Sequence, residues 1–177
     1  MTIEAQIKAA IREIPDFPKP GILFKDITTV FQDAALCNRI SDEFVLRLKD
    51  TKIDAIAAIE SRGFMFGFHL ALMLGVPFIP IRKLGKLPSK TIQFAYNLEY
   101  GTSTIEMHKD AIKSGMNILI HDDLLATGGT ATASAELVKM LNGKVTGFAF
   151  IVELEGLGGI GKIKAYTENI ISLVNYN

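Results

Sequence analysis

The chain has 177 residues, a length typical of one domain, and 49% of them are hydrophobic, so it can bury a core and is not a disordered chain. Its 19 basic and 19 acidic residues give a net charge of zero, which argues against a broad nucleic-acid-binding surface. Cys37 is the only cysteine and no secretory signal is evident, so we expect a cytoplasmic protein without disulfides.

Apolar residues at helical spacing predict two helices in the first fifty residues. The first covers 2–14, where isoleucines recur every three or four positions, and the second covers 34–49. Prolines and a glycine between Pro15 and Gly21 predict an irregular connection between them.

An uncharged stretch from Gly63 to Ile81 resembles a membrane span in its length, which approaches the ~20 residues that a spanning helix needs. Gly75, Pro77 and Pro80 interrupt it. These breakers favour a buried helix over 65–74 followed by a buried strand over 78–81, so we expect no membrane segment.

Strand and helix patterns alternate along the rest of the chain. Strands are predicted over 55–59, 78–81, 117–121, 145–153 and 170–174, and a further helix over 130–141. This alternation predicts an α/β fold with an open, mainly parallel twisted sheet flanked by helices. The long polar stretch 84–106 predicts a flexible hairpin.

Ligands of such sheets bind beyond the carboxyl ends of the strands, here in the loops after Ile59, Ile81, His121 and Glu155. The segment from Asp122 to Thr130 combines two carboxylates with a turn of glycines and threonines before a helix. Backbone N–H groups at a helix start attract phosphate, whereas carboxylates suit the hydroxyls of an attached sugar. The segment therefore predicts a ribose 5-phosphate site.

Two other loops at this edge carry positive charge. Arg62 follows the strand that ends at Ile59, and the basic turn from Arg82 to Pro88 follows Ile81. A guanidinium and backbone N–H groups can hold an anion together. The ordinary alternatives are a surface salt bridge for Arg62 and a solvated charge run for the turn.

These motifs resemble the type I phosphoribosyltransferases. The segment from Asp122 to Thr130 resembles the family's phosphoribosyl-diphosphate motif, the turn from Arg82 to Pro88 its Arg-Lys-x-Gly-Lys-Leu-Pro, and Leu98 to Gly101 its Leu-Glu-Tyr-Gly. The resemblance runs from about Phe17 to Glu155 and is similar in particular to members that act on adenine.

The resemblance implies a single domain over 1–177, with a helix and a base-binding hood over about 1–33 and a catalytic loop over 84–106. It implies Glu99, Arg62 and Lys83 as catalytic residues and places Tyr100 in the mobile loop. The implied ligand contacts are Asp122, Asp123, Ala126, Thr127, Gly128, Gly129 and Thr130 for ribose 5-phosphate, Ser61, Arg62, Arg82, Lys83 and Lys86 for diphosphate, and Leu23, Phe24, Lys25 and Leu125 for adenine.

The sequence departs from the family pattern at Glu60, at Lys25 and near Ile160, where the family often has an Arg. The family usually has Asp where this chain has Glu60, and more commonly Arg where it has Lys25. The peptide between Glu60 and Ser61 is the candidate for a cis bond, as in related folds.

The implied reaction transfers the 5-phosphoribosyl group from 5-phosphoribosyl 1-diphosphate to N9 of adenine, giving AMP and diphosphate. Mg²⁺ is expected to be held by the substrate and water, with no direct protein ligand. A homodimer is expected, and no membrane or nucleic-acid partner. A transferase for hypoxanthine, guanine, xanthine or orotate, or a regulator that binds the diphosphate sugar without turnover, remains as an alternative.

Two other features favour no ligand. Gly156 to Gly161 fits the dinucleotide pattern GxGxxG, but we expect a loop near the rim of the site, because the sixteen residues that follow are too few for the rest of such a fold. His69, His108 and His121 are too scattered for a zinc site.

Overall fold

A seven-stranded sheet runs through the computed structural model, which describes residues 1–97 and 101–177. The strands are β1 (Arg12–Pro15), β2 (Leu23–Asp26), β3 (Ala55–Ile59), β4 (Phe78–Lys83), β5 (Thr91–Asn97), β6 (Thr102–His108), β7 (Asn117–Leu125), β8 (Lys144–Leu154) and β9 (Ile170–Tyr176). The helices are α1 (Ile3–Ala10), α2 (Ala34–Leu48), α3 (Gly63–Leu74), α4 (Gly129–Met140) and α5 (Gly159–Ile163), with 3₁₀ turns at Ile27–Gln32 and Glu155–Leu157.

The order of the sheet is β5-β6-β4-β3-β7-β8-β9, and β1 and β2 form a separate antiparallel pair. The five strands from β4 to β9 in this order are parallel, and the β5–β6 hairpin adds two antiparallel strands at one edge. The predicted α/β class and the mainly parallel sheet flanked by helices are therefore confirmed.

Two apolar cores cover the two faces of the sheet. On β3, Ile56 points into one core and Ala57 into the other, since successive side chains of a strand face opposite sides. The first core is closed by α1, α2 and α3, and the second by α4 and α5. Strands buried on both faces account for the continuous apolar runs in the sequence.

The first helix is shorter than predicted. It ends at Ala10, and Arg12–Pro15 forms β1, in which Ile14 pairs with Phe24 of β2. The isoleucine spacing alone extended the predicted helix to residue 14. The pairing with β2 and an ion pair between Arg12 and Asp26 stabilise the extended form instead.

The other predicted helices and strands lie close to their predicted positions, with one difference that affects the site, whereas β2 and α5 were not predicted. β7 continues to Leu125 rather than ending near His121, because its ladder with β8 continues through Asp122 and Leu124. Both carboxylates therefore project from a strand and not from a loop.

The helix α3 ends where the breakers predict. Gly75 caps it in the left-handed conformation at φ 66°, and its N–H donates to the carbonyls of Ala71 and Leu72. Within residues 1–97 and 101–177, no helix combines the length and apolarity needed to span a membrane.

Candidate active site

The carboxyl ends of three adjacent strands enclose a cavity of about 300 Å³. In the sheet, β3 lies between β4 and β7, so the segments that follow these strands meet at one edge. The lining residues are Ile59, Glu60, Ser61, Arg62, Ile81, Arg82, Lys83, Tyr96, Ile105, Asp122, Asp123, Leu124 and Thr130. The cavity thus brings together both carboxylates and most of the predicted diphosphate-binding residues.

The two carboxylates have different surroundings. The Asp123 side chain is buried, and its Oδ2 lies 2.6 Å from Nε of Arg62. The Asp123 N–H donates to Oδ1 of half-buried Asp122 at 2.9 Å. Burial and the negative charge of Asp123 raise the pKa of Asp122 well above its ordinary value, and Arg62 acts in the opposite direction. Asp122 therefore binds a proton more readily than an ordinary aspartate does.

The start of α3 lies against Asp122. A Cβ atom on Gly63 would lie 2.8 Å from Oδ1 of Asp122, which is closer than a real Cβ contact allows. A glycine at this position therefore lets the loop after β3 approach the carboxylate.

The loop after β3 is joined to the end of β4 by Glu60. The peptide between Glu60 and Ser61, the candidate for a cis bond, is cis. The Glu60 carboxylate accepts from Nη2 and Nε of Arg82, at 2.9 and 3.2 Å, and from the backbone N–H of Lys83 at 3.1 Å. The Arg82 hydrogen bonds are the main cause that lowers the pKa of Glu60.

Arg82 consequently lies in the cavity wall with its guanidinium already bound to protein. Its Nη1 also donates to the carbonyl of Lys86 at 2.9 Å. Lys83 lines the cavity, whereas Lys86 is not among the lining residues. The structure therefore places Arg82 and Lys83 in the cavity wall at the end of β4, and Lys86 in the turn that follows, outside the lining.

Sequence reasoning missed Glu106, a buried carboxylate on β6 beneath this turn. It accepts from the backbone N–H groups of Lys86 and Leu87, both at 2.9 Å, and from the Thr91 hydroxyl at 3.1 Å. Burial acts to raise the pKa of Glu106, but these hydrogen bonds outweigh it and the pKa lies below its ordinary value. A lone carboxylate between apolar Ile105 and Met107 was the available signal.

The glycine and threonine turn forms a second, smaller cavity of about 80 Å³. Asp122, Leu124, Leu125, Ala126, Thr127, Gly128, Gly129, Thr130 and Ala131 line it. Gly128 precedes α4 at φ 76°, a conformation that favours glycine. The backbone N–H groups at the start of α4 make this turn an anion cradle beside the carboxylates.

The β5–β6 hairpin lies against the same turn. The hydroxyls of Tyr96 and Thr130 are 3.0 Å apart and share a hydrogen bond. A Cβ atom on Gly129 would lie 3.5 Å from Cδ2 of Tyr96. Glu99 and Tyr100, which the resemblance implies for proton transfer and the mobile loop, lie outside the described residues.

Comparison with known proteins assigns the family. The model of the phosphoribosyl transferase domain matches residues 26–174. The chain is 49% identical to an adenine phosphoribosyltransferase of Cytophaga hutchinsonii, over 98% of this chain and 96% of that protein. It is 52% identical to that of Thermoanaerobacter pseudethanolicus, over 99% and 100%.

The chain belongs to the adenine phosphoribosyltransferase family. The crystal structure of the Thermoanaerobacter pseudethanolicus protein matches with a TM-score of 0.94 at 51% identity, covering 99% of this chain and 100% of that chain. The Saccharomyces cerevisiae enzyme, solved with adenine and an imino-altritol bisphosphate, matches with a TM-score of 0.91 at 40% identity, covering 97% and 98%.

The residues predicted to bind adenine do not lie together in the two cavities of this adenine phosphoribosyltransferase. Leu23, Phe24 and Lys25 lie on β2 and are not among the residues that line the two cavities, whereas Leu125 lines the smaller one. The Phe24 ring meets the Phe17 ring edge-on, with centroids 5.1 Å apart.

The Lys25 side chain is held by protein groups. Its ammonium pairs with Glu13 and lies 4.3 Å from the centroid of the Tyr176 ring. The side chain that replaces the more common arginine therefore connects β1, β2 and β9.

The cavity offers oxygen donors to a metal ion. Among the described residues, no three His, Cys, Asp or Glu side chains come together as a metal-binding cluster. Asp122 and Asp123 are the carboxylates near the predicted sugar site. Hard oxygen donors fit Mg²⁺, which commonly keeps several waters and binds through one or two carboxylates and substrate phosphates.

Proposed function

We propose that this protein transfers the 5-phosphoribosyl group from 5-phosphoribosyl 1-diphosphate to N9 of adenine, giving AMP and diphosphate in purine salvage. The observation that carries the proposal is the meeting of Asp122 and Asp123 with Arg62 in one cavity beside the anion cradle from Ala126 to Thr130. This arrangement suits a phosphorylated sugar with a second anionic group at its other end. The choice of adenine as the base rests on the relatives, which are named adenine phosphoribosyltransferases.

The anion cradle and the two carboxylates suit the ribose 5-phosphate part of the substrate. The 5′-phosphate would accept hydrogen bonds from the turn between Ala126 and Thr130 at the start of α4. The carboxylates of Asp122 and Asp123 would accept from the ribose hydroxyls. Holding both ends of the ribose fixes C1′ for attack and lowers the entropic part of the barrier.

The leaving diphosphate needs positive charge at the opposite side of the sugar. Arg62 and Lys83 line the cavity and are the cations proposed for this role, with Ser61 and the turn from Arg82 to Lys86 beside them. Fixed positive groups aimed at developing negative charge stabilise the transition state. Mg²⁺ carried by the substrate would add to this neutralisation when bound.

The base half of the mechanism rests on the resemblance. Phe24 is proposed to stack on adenine, since a flat base favours an aromatic face, and the backbone of Leu23 and Lys25 to read its edge. Glu99 is proposed to exchange a proton at N7 as N9 attacks C1′. Closure of the loop over 84–106 would exclude water from the oxocarbenium-like centre.

We also propose a homodimer that acts in the cytoplasm. Met65, Phe68 and Leu72 form an exposed apolar stripe along α3, with exposed fractions of 56%, 53% and 64%. Large apolar side chains grouped on one helix face are typical of protein interfaces. The absence of any cysteine other than Cys37 suits a reducing compartment.

Steady-state rates with 5-phosphoribosyl 1-diphosphate, Mg²⁺ and each of adenine, hypoxanthine, guanine, xanthine and orotate test the proposal. Adenine should give the highest kcat/KM. A higher value with another base would reassign the substrate. Binding of the diphosphate sugar without turnover of any base would identify a regulator instead.

A further inference from the structure

The glycine-rich segment from Gly156 to Gly161 has no role in the proposed reaction, although its sequence resembles a dinucleotide-binding turn. In the structure it follows β8 as the 3₁₀ turn Glu155–Leu157 and the start of α5. Its position brings it against the turn that is proposed to bind the 5′-phosphate.

Gly159 makes the closest approach. A Cβ atom at this position would lie 2.3 Å from the carbonyl oxygen of Ala126 and 3.0 Å from Cγ and Cδ1 of Leu125. No real Cβ sits that close to a backbone oxygen. The backbone of Gly159 therefore touches the first residue of the cradle directly.

The contact is reciprocal. A Cβ atom on Gly128, within the cradle, would lie 2.8 Å from the carbonyl oxygen of Gly159 and 3.1 Å from its Cα. Two segments more than thirty residues apart in sequence thus meet backbone to backbone, with a glycine on each side. Such a close-packed contact fixes the distance between the two backbone segments.

The other glycines of the segment do not share this constraint. Gly156 and Gly161 have open space where a Cβ would be and no positive φ. Gly158 also has open space, but its φ of 67° favours glycine. Within this segment, Gly159 is therefore the one glycine at which a side chain would collide with a neighbouring residue.

The helix α5 is held in place by its apolar side chains. Ile163 is fully buried in the core beneath α4, and half-buried Ile160 packs against the same core. Gly159 is thus the contact point of an anchored helix and not of a free loop.

We propose that Gly159 is a positioning residue, which holds the backbone from Ala126 to Gly128 in the conformation that binds the 5′-phosphate. This inference rests on the proposed function, because it assigns a support to the same phosphate site. Gly159 acts through the cradle and does not itself touch the substrate.

The test compares three alanine variants, Gly159→Ala, Gly156→Ala and Gly161→Ala, by calorimetric titration with ribose 5-phosphate and separately with Mg²⁺–diphosphate. For Gly159→Ala we expect ribose 5-phosphate affinity to fall by about 10- to 100-fold, which corresponds to the loss of one hydrogen bond to a charged phosphate. Diphosphate affinity should be retained, because Arg62 lies in the loop after β3 and Lys83 at the end of β4, and neither belongs to the cradle. The two controls should change either affinity by no more than about twofold, as surface substitutions do.

Retained ribose 5-phosphate affinity in Gly159→Ala would overturn the proposal, as would equal losses of both ligands or equal losses in the controls. If Gly159→Ala does not fold, Ile160→Ala decides, since it loosens α5 without a clash. Weaker ribose 5-phosphate binding with unchanged diphosphate binding would then support the proposal, and unchanged binding of both would overturn it. Failure of the wild-type protein to form AMP, with this binding pattern intact, would refute the proposed function alone.

Discussion

Nε of Arg62 lies 2.6 Å from Oδ2 of Asp123, so the loop after β3 and the end of β7 share one ion pair inside the cavity. The side chain of Asp123 is 6% exposed, and that of Arg62 is 39% exposed. A buried carboxylate whose charge is neutralised in this way depends on its partner, and loss of either group leaves the other uncompensated. The proposed sugar and diphosphate sites are therefore linked.

Replacing Asp123 by Asn should weaken binding of ribose 5-phosphate. The amide keeps the size of the carboxylate but loses its charge, and hydrogen bonds to a charged group contribute about 1.5–3 kcal/mol, equivalent to roughly 10- to 100-fold in affinity. Titration calorimetry measures the change, with the exposed Asp110→Asn as the control. Unchanged affinity in Asp123→Asn would refute the role of Asp123 in binding the sugar hydroxyls.

Replacing Glu99 by Gln should slow turnover more than it weakens binding of the diphosphate sugar. Positioned general acid–base groups contribute about 10²- to 10⁴-fold to rate, so kcat should fall on that scale while the Kd for 5-phosphoribosyl 1-diphosphate changes little. Single-turnover kinetics and equilibrium binding separate the two quantities. Equal losses in rate and affinity would mean that Glu99 does not act in proton transfer.

Replacing Glu106 by Gln should loosen the basic turn above it. The neutral amide is a weaker acceptor for the backbone N–H groups of Lys86 and Leu87, so affinity for Mg²⁺–diphosphate should fall by about 10-fold. Ribose 5-phosphate affinity should stay the same, because its proposed contacts lie on β7 and α4. Glu136→Gln on α4 is the matched control, and a loss of both ligands in Glu106→Gln would indicate general damage instead.

His121 should make the fold sensitive to acid. Burial lowers the pKa of His121 from 6.5 to about 4, and the backbone of Ala149 partly opposes this shift. Because the folded pKa lies below the unfolded one, the stabilisation is complete above the unfolded pKa and is lost as the pH falls toward the folded pKa. The expected loss is on the order of 3 kcal/mol for a shift of this size.

Denaturant unfolding at about pH 7 and about pH 4.5 measures this loss in the wild type and in His121→Leu. The variant lacks the titrating ring, so its free energy of unfolding should fall less between the two pH values. The raised pKa of Asp122 acts in the opposite direction in both proteins and cancels in the comparison. Equal losses in the two proteins would exclude His121 as the source.

The sequence predicted the parts of the site that depend on local residue patterns, such as apolar runs and glycine turns. The apolar run Ala55–Ile59 and the glycine turn after Leu125 identify a buried strand and a helix start, because few residue types fit those backbones. Because ligands bind at the carboxyl ends of parallel strands, the sequence also predicted that the loops after Ile59 and His121 lie at one edge of the sheet, where the structure brings Arg62 and Asp123 together. The contact between them depends only on neighbouring parallel strands.

The sequence did not predict contacts that depend on the antiparallel edge and on the reach of side chains. Glu106 meets Lys86 because β6 pairs with β4, and no local pattern specifies that register. The approach of Gly159 to Ala126 depends on the packing of α5 beside α4, which spacing along the chain does not encode. The isoleucine pattern of the first helix failed for a similar reason, since the pairing of β1 with β2 ends that helix at Ala10.

Product formation from labelled adenine and 5-phosphoribosyl 1-diphosphate shows whether this protein transfers the phosphoribosyl group to adenine. With Mg²⁺ present, the wild-type protein should convert the label to AMP and release one diphosphate for each AMP formed. Diphosphate release without labelled AMP, or no release under conditions in which the diphosphate sugar is bound, would show that adenine is not the acceptor or that the protein does not catalyse the transfer.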